Sequence, residues 1–233
     1  MYIGQNKSNF VQKQNQYIFP FFIDEGKLIV KNILTRREKF QAYYLRHKIF
    51  CDELKWVKPS YNKLEIDHYD SKSTHMGVFN SGHKLLAFLR IIKAKETIMI
   101  EKEFSFLIDP SVKIRKEPDT IELSRLCIDP ETRNSNSGNF GNYSISLLLY
   151  KGVYHWCMKE KVRYVYLVIK QEFFRLLLKQ GFPFKMIGRP VIMPDGVNTL
   201  AAVMDWQEFE LLNAANKPNM FKWFIEYQSS HFQ

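Results

Sequence analysis

The chain has 233 residues, 45% hydrophobic and 15% aromatic, enough apolar material for one sizeable core and too much for a disordered chain. A formal net charge of +10 asks for an acidic partner, and nucleic acid, an anionic membrane surface and an acidic carrier protein all have that sign. Cys51, Cys127 and Cys157 are odd in number and far apart, which fits neither a disulfide framework nor a metal site, so no metal is expected and a reducing cytoplasm is the expected compartment.

In chain order, residues 1–16 are polar and rich in Asn and Gln, a loose arm with no apolar leader segment. "YIFPFFI" and "KLIVKNIL" read as two short strands around the turn "DEGK", although Pro20 weakens the first. "TRREKFQAYYLRHKIFCDEL" opens on Thr35 with Glu38 three residues later, a capping box, and places Phe40, Tyr43 or Tyr44, His47, and Phe50 or Cys51 at helical spacing. From Trp56 to Ser71 there is no period, and a loop of that length is commonly functional. "THMGVF" and "KLLAFLRIIK" form a hairpin around "NSGH", and "TIMI" reads as a further short strand before "EFSFLI".

"DTIELSRLCID" is a strand, followed by a Gly/Asn/Ser loop containing Gly138 and Gly141. That loop is either an ordinary flexible connection or a cradle for a pantetheine phosphate ahead of a helix N-terminus. A helix "YSISLLLYKGVYHWCMKEK", a buried strand "RYVYLVI" and a helix "QEFFRLLLKQGF" ending at Gly181 follow. "FKMIGRPVIMPDG" and "NTLAAVMDW" are strand-like around a Pro-Asp-Gly turn, and the last 27 residues form a helix and a tail. The expectation is one α/β domain: an arm with short strands over 1–35, the main domain over 36–206, and a C-terminal helix and tail over 207–233. No apolar run approaches the roughly 18 residues of a membrane span.

The strand "IELSRLCID" carries Glu122, Ser124 and Arg125 in its middle, too polar for a strand that only fills a core. Ile121 and Leu123 are out of step with Leu126 and Ile128. One bulge near Ser124 and Arg125 would bring all four to one face and turn Glu122 and Arg125 together to the other. The pair is either a structural salt bridge or a catalytic base, with the Arg keeping the Glu ionised.

The sequence resembles the acyl-homoserine-lactone synthase (autoinducer synthase) family, related to Gcn5-type N-acyltransferases and to long-chain N-acyl amino acid synthases. Arg46 and Phe50, Trp56 six residues later, Asp67, Tyr69 and Asp70 in "EIDHYD", Arg90, Phe104, and Glu122, Ser124 and Arg125 in "ELSR" match the family pattern in order. The resemblance runs from about residue 36 to 205 and implies a mixed central sheet flanked by helices, with a bulged central strand. One departure stands out: the family's "RLLPTT" reads "RIIKAK" here, which bears on the acceptor amine more than on acyl transfer.

The resemblance implies transfer of a fatty acyl group from acyl carrier protein, or acyl-CoA, to the amine of S-adenosylmethionine. That substrate is cationic at sulfur and nitrogen, and no permanently bound cofactor is expected. Asp67 and Asp70 would face the cations, and Arg46, Arg90 and Arg125 would hold those acids and bind a substrate carboxylate. Glu122 would take the amine proton through a water, a backbone N–H at the bulge near Ser124 and Arg125 would stabilise the oxyanion, and Phe50, Trp56 and Phe104 would wall off water. Plainer roles are core packing for Phe50 and Trp56 and loop capping for Asp67. The paired acids either await a cationic substrate or are already neutralised by Arg46 and Arg90. His68, His75 and His83 have no metal spacing and receive no role. An amino acid as acceptor is the alternative reaction. A non-catalytic nucleic-acid-binding module is the remote one, disfavoured because the basic residues are dispersed among acids, so nucleic acid is not expected as a partner.

Overall fold

The computed structural model describes residues 22–134, 139–140 and 143–226; the proposed cradle at Gly138 and Gly141 lies outside them. In chain order the elements are β1 (Phe22–Asp24), β2 (Leu28–Asn32), α1 (Arg36–Arg46), β3 (Ser73–Asn80), β4 (Leu85–Lys93), α2 (Met99–Lys102), β5 (Thr120–Ile128), α3 (Pro130–Asn134), β6 (Asn139–Phe140), β7 (Tyr143–Ser144), α4 (Ile145–Lys159), β8 (Tyr164–Lys170), α5 (Gln171–Gln180), β9 (Lys185–Met186), β10 (Val191–Ile192), β11 (Asn198–Asp205), α6 (Trp206–Asn216) and α7 (Pro218–Ile225). Among the described residues a nine-stranded sheet runs β1-β2-β3-β4-β5-β8-β11-β10, with β9 also pairing to β11, and β6 and β7 pair only with each other. Among the described strands of the large sheet only β5 and β8 are parallel, joined through α4.

The parallel contact is short. It runs from Thr120↔Tyr164 to Leu123↔Leu167 and stops, while β8 continues beside β11 to Lys170. β5 leaves its parallel partner because it bulges. Ser124 pairs with Arg90 but Cys127 pairs with Phe88, so β5 spends one residue more than β4, and Arg125 takes a left-handed backbone at φ 56°. The bulge does what the apolar phase requires: Ile121, Leu123, Leu126 and Ile128 all pack into the main core.

That core lies on one side of the sheet under α4 to α7. Helix α4 approaches the strands at Gly152, where a Cβ would meet Val30 Cγ1 at 2.4 Å and Met76 Sδ at 3.0 Å. The C-terminal segment holds two helices rather than one, and Trp206, Phe209 and Phe224 from them are fully part of this core. The opposite side carries α1, α2 and the long loop, over two smaller apolar clusters.

Helix α1 starts with the expected capping box between Thr35 and Glu38, but it buries a different stripe from the expected one. Ala42, Leu45 and Arg46 face inward, and Phe40 and Tyr44 are exposed. Beyond Arg46 the helix widens into a π-turn over His47–Glu53 that buries His47, Ile49, Phe50 and Cys51. "TIMI" is not a strand. Ile98 is the N-cap of α2, because the Glu122 carboxylate reaches across from β5 and accepts the N–H of Met99 at 2.7 Å and of Ile100 at 3.1 Å.

Candidate active site

Three arginines and three carboxylates meet on the α1 side of the sheet, against the bulge. Arg46 and Arg90 are fully buried, which requires charge partners. Glu65, Asp67 and Asp70 supply them from the long loop, where a one-turn helix over His68–Lys72 is itself capped by Asp67.

Arg46 donates to Glu65 and to Asp70 Oδ1 at 2.6 Å. Arg90 donates to Asp67 Oδ1 at 2.5 Å, to Asp70 Oδ1 at 3.2 Å and to Ser124 Oγ at 2.9 Å. Arg125 spans Glu65 Oε1, at 3.1 and 3.0 Å, and Asp67 Oδ2 at 3.0 Å. Arg125 also lies over the Phe50 ring at 5.4 Å, and Arg90 over Tyr69 at 5.4 Å. Ser124 therefore orients Arg90.

Of the two accounts open for Asp67 and Asp70, this geometry is the one in which the arginines neutralise them. The structure adds Glu65 and His75 to the residues expected from the sequence; Glu65 stands two residues before Asp67 in "EIDHYD", so its nearness to the other acids is the signal that points to it. His75 has no metal-ligand spacing in the sequence; its partner in the fold is the Asp70 carboxylate, 3.1 Å away. Burial pushes the Asp70 carboxyl up, but donation from His75 and Arg46 outweighs it and holds the group well below the usual carboxylate range.

The expected pairing of Glu122 with Arg125 does not form. Both turn to the same face of β5, but Arg125 is committed to Glu65 and Asp67, and Glu122 is buried beneath α2. Nor is Glu122 held ionised by an arginine. Desolvation dominates and pushes its carboxyl up to about 7, against the two backbone hydrogen bonds and the more distant charge of Arg90.

The aromatic residues divide. Phe50 is buried beside the arginine cluster, and Phe104 is partly buried against the apolar cluster that contains Tyr69 and Met99. Trp56 is 45% exposed, so it is not a plain core residue. Its ring leans on Phe50 with centroids 6.2 Å apart, its Nε1–H donates to Asp195 Oδ2 at 2.6 Å, and Lys170 sits over it at 4.8 Å. It thus ties the segment after α1 to the end of β8 and the turn before β11.

Within the cluster, solvent reaches Asp67 and Arg125, with side chains 19% and 15% exposed, and hardly reaches Glu65 or Asp70. The arrangement can present one carboxylate oxygen and one guanidinium edge to a small zwitterion, beside the gap where β5 and β8 part. Among the described residues no group of His, Cys, Asp and Glu is placed to hold a metal ion, and no helix is long and apolar enough to cross a membrane.

The sequence profile of a family described as autoinducer synthase matches residues 31–211. The chain is 29% identical over 147 residues to an acyl-homoserine-lactone synthase of Yersinia ruckeri, covering 62% of this chain and 65% of that protein. The match thus spans slightly less than two thirds of that relative. It is 26% identical over 165 residues to an acyl-homoserine-lactone synthase of Aeromonas hydrophila, covering 69% and 78%.

The same fold occurs in the synthase LasI, with a TM-score of 0.67 at 17% identity over 76% of this chain and 89% of that one. It also occurs in BjaI, a CoA-dependent acyl-homoserine lactone synthase solved with S-adenosylmethionine and isopentyl-CoA, with a TM-score of 0.64 at 21% identity over 75% and 80%. FeeM, an N-acyl amino acid synthase from uncultured soil microbes, scores 0.56 at 13% identity over 79% and 93%. The family profile covers well over half of the chain, from the middle of β2 into α6; the chain belongs to the autoinducer synthase family.

Proposed function

We propose that the protein transfers a fatty acyl group from acyl carrier protein, or acyl-CoA, to the amine of S-adenosylmethionine and releases an N-acyl-homoserine lactone, acting in the cytoplasm. The observation that carries this reading is the balanced cluster of Arg46, Arg90 and Arg125 with Glu65, Asp67 and Asp70, open to solvent only along Asp67 and Arg125. Asp67 Oδ2 accepts one hydrogen bond, from Arg125, and keeps a lone pair for an ammonium or sulfonium. The outer edge of Arg125 suits the substrate carboxylate.

Acyl transfer needs the amine deprotonated so that nitrogen attacks the thioester carbonyl, the C–S bond breaks and the thiol leaves. Glu122, with its carboxyl pushed up to about 7, has the proton affinity suited to that task near neutral pH. The lactone then forms when the substrate carboxylate attacks the carbon bearing the sulfonium and the thioether departs. Phe50, Trp56 and Phe104 keep water from the thioester in this reading, and the net charge of +10 favours docking of an acidic carrier.

A second reading, an N-acyl amino acid synthase, draws on "RIIKAK" at the end of β4, where Lys93 pairs with Glu160 at 2.8 Å in place of the family's Pro-Thr-Thr segment. Mass spectrometry of products from purified enzyme, an acyl thioester and either amine decides between them. A lactone from S-adenosylmethionine supports the first reading, and product from amino acids alone replaces it with the second.

A further inference from the structure

Asp70 accepts four hydrogen bonds. Its Oδ1 takes donors from Arg46 at 2.6 Å, Arg90 at 3.2 Å and His75 Nε2 at 3.1 Å, and its Oδ2 takes the N–H of Asp67 at 2.8 Å. Oδ1 is crowded by three donors, and Oδ2, although it accepts a single hydrogen bond, belongs to a side chain only 4% exposed, so Asp70 offers no open site to a substrate cation. Asp67 does.

The group that completes the set is His75 on β3. It is 5% exposed and sits opposite Arg90 on the neighbouring strand. Its ring meets the rings of Tyr43 and Phe88 edge-on, with centroids 6.0 and 5.3 Å away, and this fixes the direction of Nε2. Facing a carboxylate oxygen that cannot donate, Nε2 carries the proton. The imidazole thus adds one donor to a cluster in which three arginines face three carboxylates.

We propose that His75 is a positioning residue for the acceptor amine: by completing the hydrogen bonds of Asp70 it makes that carboxylate a fixed anchor for Arg46 and Arg90, and so holds Asp67 in place to meet the substrate cation. The inference rests on the reading that the acceptor binds along Asp67 and Arg125. Removing the imidazole donor frees Asp70 to rotate, and Arg90, which is shared between Asp70 and Asp67, moves with it.

The test uses His75→Phe, His75→Asn and His75→Gln in the purified full chain. Phe keeps a ring without a donor, Asn is too short to reach Asp70, and Gln carries an amide N–H at about the position of Nε2. Steady-state kinetics with S-adenosylmethionine and an acyl thioester, alongside thermal melting, give the readout. Phe and Asn should raise KM for the amine about tenfold or more, as a misaligned charge-assisted contact does, with KM for the thioester unchanged. Gln should restore most of the loss.

An unchanged amine KM in folded His75→Asn overturns the proposal, as does a Gln variant no better than Asn at equal melting temperature. If Phe does not fold, Asn against Gln carries the comparison. Absence of wild-type turnover with S-adenosylmethionine faults the acceptor reading instead, and the same variants are then assayed with the amine that wild type does acylate.

Discussion

Met99 donates its backbone N–H to Glu122 Oε2 at 2.7 Å, so the acidic residue of the polar strand also caps the short helix that covers it. One carboxylate therefore has two duties. Substitution of Glu122 will act on stability and on turnover together, and an activity assay alone would misattribute the effect.

Glu122→Gln is expected to cut turnover roughly 10²-fold or more, as loss of a positioned base does. It should also destabilise the fold by about 1–3 kcal/mol, because an amide NH₂ must then face a backbone N–H. Urea denaturation with turnover of the folded fraction separates the two. Turnover near wild type in that fraction removes Glu122 from the chemistry and leaves it as a helix cap.

The pH dependence of stability follows from two carboxyls shifted in opposite directions. Glu122 is raised from its ordinary 4.5 to about 7, so between those values the folded state holds a proton that the unfolded chain has lost. Stability from this group is therefore fully present below about pH 4.5 and declines as pH rises towards 7. Asp70 is lowered from 3.8, so its contribution is present above about pH 4 and is lost as pH falls further. Folding free energy should peak on the acid side of neutrality, and Glu122→Gln should flatten the limb between pH 4.5 and 7. Denaturation series from pH 3 to 8 for both proteins would show it. A wild-type limb that rises from pH 5 to 8 contradicts the assignment.

Arg125→Lys tests the bridge between Glu65 and Asp67. A lysine carries the same charge and the same left-handed backbone cost, but one ammonium cannot span both carboxylates as the planar guanidinium does. Stability should fall by about 1–3 kcal/mol, and kcat/KM for the amine should fall at least about tenfold. Kinetics within twofold of wild type would leave Arg125 as nothing more than a charge.

The contact between Trp56 and Asp195 lies in the open, and an exposed hydrogen bond contributes little to folding, about 0.5–1.5 kcal/mol. Trp56→Phe keeps the ring against Phe50 and removes the donor, while Asp195→Asn weakens the acceptor. Each should leave melting nearly unchanged and raise KM for the acyl donor a few-fold, and the double variant should be no worse than either single one. Fully additive effects would mean that the two residues act separately.

Much of the architecture was legible because it depends on local rules. The capping box at Thr35 and Glu38, the hairpin of β3 and β4, the left-handed stop at Gly181 and the bulge in β5 each follow from residues close in sequence. The broken phase of Ile121, Leu123, Leu126 and Ile128 located the bulge because the side-chain period of a strand leaves no other way to bury all four. What a side chain does after it turns to a given face depends on what else arrives there.

Four apolar-leaning residues, "TIMI", resemble a strand until a carboxylate from β5 accepts the backbone N–H groups of two of them, Met99 and Ile100, and starts a helix instead. Phe40 and Tyr44 match a helical stripe, yet α1 buries Ala42, Leu45 and Arg46, because the acids that Arg46 needs lie inward on the long loop. The sequence alone determined which face of β5 Glu122 and Arg125 occupy and that a loop rich in acids accompanies them. Only the tertiary structure decided their partners, because partner choice among buried charges is set by distance in a desolvated space, and Glu65, Asp67, Asp70, Arg46, Arg90 and Arg125 reach that space from four separate segments of the chain.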